Sequence, residues 1–99
     1  NVTIREISDI MHRNKVNNLI IAHNHPNGEN TPSNDDDSFT KALVMFLSLN
    51  SSFLVDHIIV GEDGYYSYRN AGRIEKYKDE IRFYCKRILR ILHLISRRE

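Results

Sequence analysis

His23-Asn24-His25, together with Asp36 further along the chain, are the residues whose types and spacing could do chemistry. Imidazoles two positions apart on an extended backbone point the same way, because side chains alternate along a strand. Two neutral imidazoles on one face are two metal ligands in waiting. Asp36 would complete a set of three with a fourth position left open, which is the pattern of catalytic zinc. An ion so held lowers the pKa of its bound water to about 7 and polarises a carbonyl under attack, chemistry suited to amide hydrolysis at neutral pH. The same residues have a plain structural reading. Histidines at strand ends are commonly solvated or hydrogen-bonded, and Ser33-x-x-Asp36 has the spacing of a helix-capping box. Ferrous iron is a third reading, although facial-triad sites usually pair a histidine with a carboxylate two residues away, whereas here the two histidines are the close pair. From spacing alone, metal site and cap both stay open, and one carboxylate can serve both.

The elements that must position these residues can be read from the pattern. Thr3-Ile4-Arg5-Glu6 is a capping box, and Ile4, Ile7 and Met11 follow at helical spacing, so a first helix is expected over residues 4–14. Leu19 to Ala22 is a continuous apolar run too close to Pro26 for a helix and is expected to be a central strand covered on both faces. Pro26-Asn27-Gly28 opens a polar loop that runs to Pro32. Phe39, Leu43, Phe46 and Leu47 mark a second helix over about residues 34–49, with Asp35, Asp36 and Asp37 in its first turn, where carboxylates suit the dipole. Leu54 to Val60 and Tyr65 to Tyr68 read as a hairpin joined through Gly61-Glu62-Asp63-Gly64. After Gly72 a heptad begins, with Ile74, Ile81, Ile88 and Ile95 in one position and Tyr77, Tyr84 and Ile91 in the other, predicting a helix over about residues 74–97.

With 99 residues, 40% of them hydrophobic, the chain is one domain with a thin core. No unbroken apolar run in the chain is long enough to cross a membrane as a helix. The lone Cys85 cannot make an internal disulfide, which fits a reducing compartment, and a cytosolic protein is expected. The net charge of +1 hides a split. Residues 1–72 hold five basic and nine acidic side chains, net −4, whereas residues 73–99 hold nine basic and four acidic ones, net +5. The basic helix therefore has three readings: packing against its own body, pairing as a homodimer, or weak contact with nucleic acid. His12 and His93 lie on helices without partners at ligand spacing, and His57, in a strand one residue from Asp56, is expected to face solvent or a structural partner. Cys85 is expected to be a small buried hydrophobe. Tyr65, Tyr66 and Tyr68 read as packing residues, with a stacking platform as the second reading. Because the chain opens on Asn1 rather than Met, it is read as a processed chain or an excised fragment.

His23-Asn24-His25-Pro26 followed by Ser33-Asn34-Asp35-Asp36 resembles the His-x-His-Pro and Ser-x-x-Asp signature of the JAB/MPN (JAMM) metalloproteases. Ile20 to Gly28 (IIAHNHPNG), Thr31-Pro32-Ser33, Asp56 to Gly61 (DHIIVG) and Tyr65-Tyr66-Ser67 are similar to the bacterial RadC branch. The resemblance covers roughly residues 2–74 and implies an α/β fold: a small mixed sheet flanked by helices, with cytidine deaminase-like architecture, its first strands absent and a C-terminal helix added. It divides the chain into a partial RadC-like domain, 1–74, and a basic helix, 75–99. It implies that His23, His25 and Asp36 bind Zn2+, and that Ser33 holds the water or stabilises the oxyanion, in a hydrolase of peptide or isopeptide bonds. A noncatalytic, DNA-associated metal-binding module is the alternative, since RadC proteins are commonly labelled DNA repair proteins. The family also supplies a general-base glutamate on a strand upstream of the first helix. Glu6 is better explained as the capping partner of Thr3, and Glu29 sits in a mobile loop that would not hold a base at hydrogen-bond distance. Catalysis by this chain alone is therefore not expected.

Overall fold

The computed structural model describes residues 2–98, with side chains as far as residue 94. Helix α1 (Ile4–Asn14) starts where Thr3 accepts the Glu6 amide and buries Ile7 and Met11. It ends in a Schellman arrangement, with the Lys15 amide donating to the His12 carbonyl and the Val16 amide to that of Met11. Lys15 is therefore left-handed, at φ 54°. A left-handed residue with a Cβ costs about 1–2 kcal/mol, offset in glycine by about 0.5–1 kcal/mol of extra chain entropy. Lys15→Gly should accordingly stabilise the chain by about 0.5–1 kcal/mol, measurable as a raised melting temperature.

Strand β1 (Asn18–Asn24) leads through the polar loop to α2 (Asn34–Leu49), which crosses back to β2 (Phe53–Gly61). β2 runs parallel to β1 and turns into the antiparallel β3 (Gly64–Ser67). The sheet order is β1-β2-β3, so β2 is the central strand. The expectation that Leu19 to Ala22 would be central is thus corrected. Among the described residues β1 lies at an edge, and Ile20 is 58% exposed. The apolar run looked like a strand buried on both faces because nothing in its composition separates a covered face from an uncovered one.

An irregularity in the β1–β2 register between Leu19 and Ile20 skips Val55 and changes which β2 residues face the helices. Beyond it Ile21 pairs with His57 and His23 with Ile59. Paired residues in parallel strands share a face, so His23 and His57 both turn toward α2. The core beneath joins Leu43, Val44 and Leu47 of α2 to Leu54 and Ile59 of β2 and to Tyr68. Asp56, on the opposite face, is buried and accepts from the Ser67 hydroxyl and the amides of His57 and Arg69, which fixes the exit from β3.

Helix α3 (Arg73–Arg98) uses its heptad seam unevenly. Ile74, Tyr77 and Ile81 are buried on the body, with Cys85 half-buried beside them. Further along the seam Tyr84, Ile88 and Ile91 are each more than half exposed. The expected seam residue Ile95 and the basic Arg97 and Arg98 lie beyond the described side chains. No helix among the described residues is long and apolar enough to cross a membrane.

Candidate metal centre

β1 delivers its histidines where the strand gives out, beside the N-terminus of the helix that carries Asp36. His23 Nε2 and His25 Nε2 lie 3.3 Å apart. Asp36 Oδ1 is 3.2 Å from His23 Nε2, and Oδ2 is 2.9 Å from His25 Nε2. Four ligands arranged tetrahedrally at about 2.0–2.1 Å from zinc are separated from one another by about 3.3 Å. The two nitrogens already stand at that edge length, and Asp36 brings a different carboxylate oxygen close to each of them, so the residues fit a divalent ion with one position open. Among the described residues, no other group of three His, Cys, Asp or Glu side chains converges in this way.

Ser33 and Asp36 also form a complete capping box, so cap and candidate ligand coincide. Ser33 Oγ accepts from the Asp36 amide, and Asp36 Oδ2 accepts from the Ser33 amide at 2.8 Å while facing His25. The helix start thus fixes the carboxylate. Partial burial pushes the Asp36 carboxyl upward, but the hydrogen bonds from Ser33 and then His25 outweigh it and leave its pKa below the usual range. The loop between the histidines and this cap is clamped at Gly28, whose amide donates to the His25 carbonyl and whose own carbonyl accepts from Glu62. Gly28 has φ 77°, and a Cβ there would meet the Glu62 side chain at 2.8 Å.

His57 was not legible as part of this site. It is 1% exposed and faces inward onto a structural partner, His23, with Nε2 3.0 Å from His23 Nδ1. Its Nδ1 meets Thr40 Oγ1 at 2.6 Å, and its ring stacks on Tyr68 at 4.8 Å and 5°. No sequence signal pointed to it, since only the strand register places position 57 beside β1 on the face of the histidines. Tyr68 is fully buried and Tyr66 meets it edge-on, while Tyr65 is 63% exposed. Next to Asp36, the Arg73 guanidinium and the Tyr68 hydroxyl both bond Asp37 at 2.7 Å. The Arg73 bond, opposed by partial burial and reinforced by Tyr68, holds the Asp37 carboxyl below its ordinary value.

Burial, with the neighbouring His23 adding to it, pushes the His57 pKa down to about 4. An unfolded histidine titrates near 6.5, so between pH 6.5 and about 4 the unfolded chain binds the extra proton and the folded one does not. Through His57 the metal-free chain should lose no stability above pH 6.5 and roughly 1 kcal/mol per pH unit as the pH falls from there to about 4. Denaturant titrations across this window check it; a His57→Phe chain should show a flatter profile.

A family model described as "RadC-like JAB domain" matches residues 1–73. A UPF0758 protein of Streptococcus gordonii is 42% identical over 65 residues, covering 66% of this chain and 29% of the relative. A UPF0758 protein of Aquifex aeolicus is 48% identical over 56 residues, covering 57% of this chain and 24% of the relative. UPF0758 protein STH371 of Symbiobacterium thermophilum is 38% identical over 68 residues, with 69% and 29% covered. The chain thus spans less than a third of the length of each of these relatives. With the matched model covering most of its length and the histidines, Ser33 and Asp36 all inside the match, the chain belongs to the RadC-like JAB domain family.

Proposed function

We propose that this chain carries the metal-holding side chains of a zinc-dependent hydrolase acting on peptide or isopeptide bonds. The observation that supports it most is the mutual spacing of His23 Nε2, His25 Nε2 and the Asp36 carboxylate, 2.9–3.3 Å. Zinc held there supplies Lewis acidity and a water of lowered pKa. The chain's own residues do the rest that can be assigned. His23 and His25 give neutral nitrogen donors, and Asp36 gives the anionic oxygen. Ser33 Oγ accepts from the helix amide and keeps its hydroxyl proton, which can donate to a water or to an oxygen gaining charge. Grooves reach His23 from two sides, one with the apolar Ile7, Ile21 and Phe39, the other with Pro26, Gly28 and Val60, a setting suited to an extended peptide. Glu6 is exposed on α1 and hydrogen-bonded to Thr3, and Glu29 is exposed in its loop, so neither is assigned as general base.

Titration of the chelator-stripped chain should give one zinc per chain, with elemental analysis separating zinc from iron. Zinc-dependent cleavage of a peptide library by the longer protein would support the hydrolase. An absence of zinc binding would end the reading. The second reading, a DNA-associated module, is favoured by Arg82, Lys86, Arg87 and Arg90 on the exposed stretch of α3. It requires DNA binding whose affinity falls steeply with salt.

A further inference from the structure

Behind the metal-facing atoms runs a hydrogen-bond chain whose proton order can be worked out from both ends. At one end, Thr40 Oγ1 lies 2.6 Å from the Asp36 carbonyl oxygen. Two oxygens that close need a proton between them, and the carbonyl has none, so the single hydroxyl proton of Thr40 points at Asp36. Thr40 Oγ1 can then only accept from His57 Nδ1, 2.6 Å away, and that nitrogen must carry a hydrogen. At the other end, His23 turns Nε2 toward His25 and Asp36. As a ligand it offers the Nε2 lone pair, which puts its hydrogen on Nδ1, the atom facing His57 Nε2 at 3.0 Å. Both ends of the hydrogen-bond chain require the same form of His57: hydrogen on Nδ1, lone pair on Nε2.

We propose that His57 is a positioning residue, held by Thr40 in the Nδ1–H form, whose bare Nε2 accepts the Nδ1–H of His23 and so aims the His23 Nε2 lone pair at the metal position. This role rests on the zinc reading above. The chain closes on itself through one turn of α2. Asp36 presents its carboxylate to the site, and its carbonyl, four residues before Thr40, anchors the far end of the relay. The stacked, fully buried Tyr68 ring holds the plane of His57. An outer partner of a metal-bound imidazole fixes both ring orientation and tautomer, and its loss typically costs 10–100-fold in metal affinity.

Long-range proton–nitrogen NMR on the histidine-labelled wild-type chain at neutral pH tests the order directly. His57 is expected as the neutral Nδ1–H form with and without zinc; the Nε2–H form would overturn the proposal. His57→Phe keeps a ring against Tyr68 but offers no acceptor, and zinc affinity by chelator competition should fall about 10–100-fold with the fold intact by circular dichroism. His57→Gln, which returns an acceptor oxygen toward His23, should recover most of that loss. A folded His57→Phe chain that binds zinc like wild type would overturn the positioning role alone, whereas a wild-type chain that takes no zinc would overturn the metal reading and this role with it. Should His57→Phe fail to fold, the tautomer measurement decides, because it needs no substitution.

Discussion

An Asp36→Asn chain should fold and yet bind zinc more than about 100-fold more weakly, a loss beyond the 10–100-fold range of an outer-shell partner. The cap and the proposed metal ligand ask different things of this side chain. As a cap, Asp36 accepts the Ser33 amide and gives its own amide to Ser33 Oγ. An asparagine oxygen accepts that amide equally well, so the helix start survives. Metal-free stability should change by no more than about 1 kcal/mol, the scale of one charge at a helix N-terminus. As a ligand, Asp36 brings the only negative charge among the three converging donors. The amide keeps an oxygen but loses that charge, and with it the attraction to a divalent ion. Chelator competition read beside a urea melt checks both halves: unchanged zinc affinity would mean that Asp36 is only a cap. His25→Ala should lose zinc to a similar extent while leaving both Ser33–Asp36 cap hydrogen bonds in place.

The local parts of this fold were legible because each is written in neighbouring residues. The first two helices were readable from their caps, Thr3 with Glu6 and Ser33 with Asp36, and from a clean apolar spacing behind each cap. The hairpin was readable from its Gly-containing turn. What could not be read were relations between elements. The place of β1 at the edge depends on which strands pair, and an apolar run says only that a strand wants cover. The division of the α3 seam, covered at Ile81 and uncovered at Tyr84, depends on where the body ends in space rather than on any change in the repeat. His57 illustrates the same limit at the site. Its neighbours suggest an ordinary strand histidine, and only the register that sets it next to β1, with Thr40 across from it, gives its two ring nitrogens separate tasks. The candidate metal ligands were an intermediate case, since spacing brought the histidines together while leaving Asp36 divided between cap and ligand.

Tyr68→Ala should be the most damaging single change to stability, because this ring joins the core to the site. It is fully buried, stacked on His57, and covered by the Arg73 guanidinium 5.0 Å from its centroid. Its hydroxyl donates to Asp37 at 2.7 Å, which the same Arg73 also holds, so strand exit, α2 and the start of α3 meet on one side chain. Truncating a buried aromatic costs about 3–5 kcal/mol, a large share of the 5–15 kcal/mol that keeps a typical domain folded. At about 4–8 °C per kcal/mol for a chain of this size, the melting temperature should fall by well over 10 °C. Tyr68→Phe isolates the hydroxyl. The ring still stacks on His57 and Arg73 still neutralises Asp37, so the cost should be about 1–2 kcal/mol, and zinc affinity should stay near that of wild type. If the two variants were equally destabilised, the hydroxyl bond to Asp37, rather than the buried ring, would be what ties the helices to the sheet.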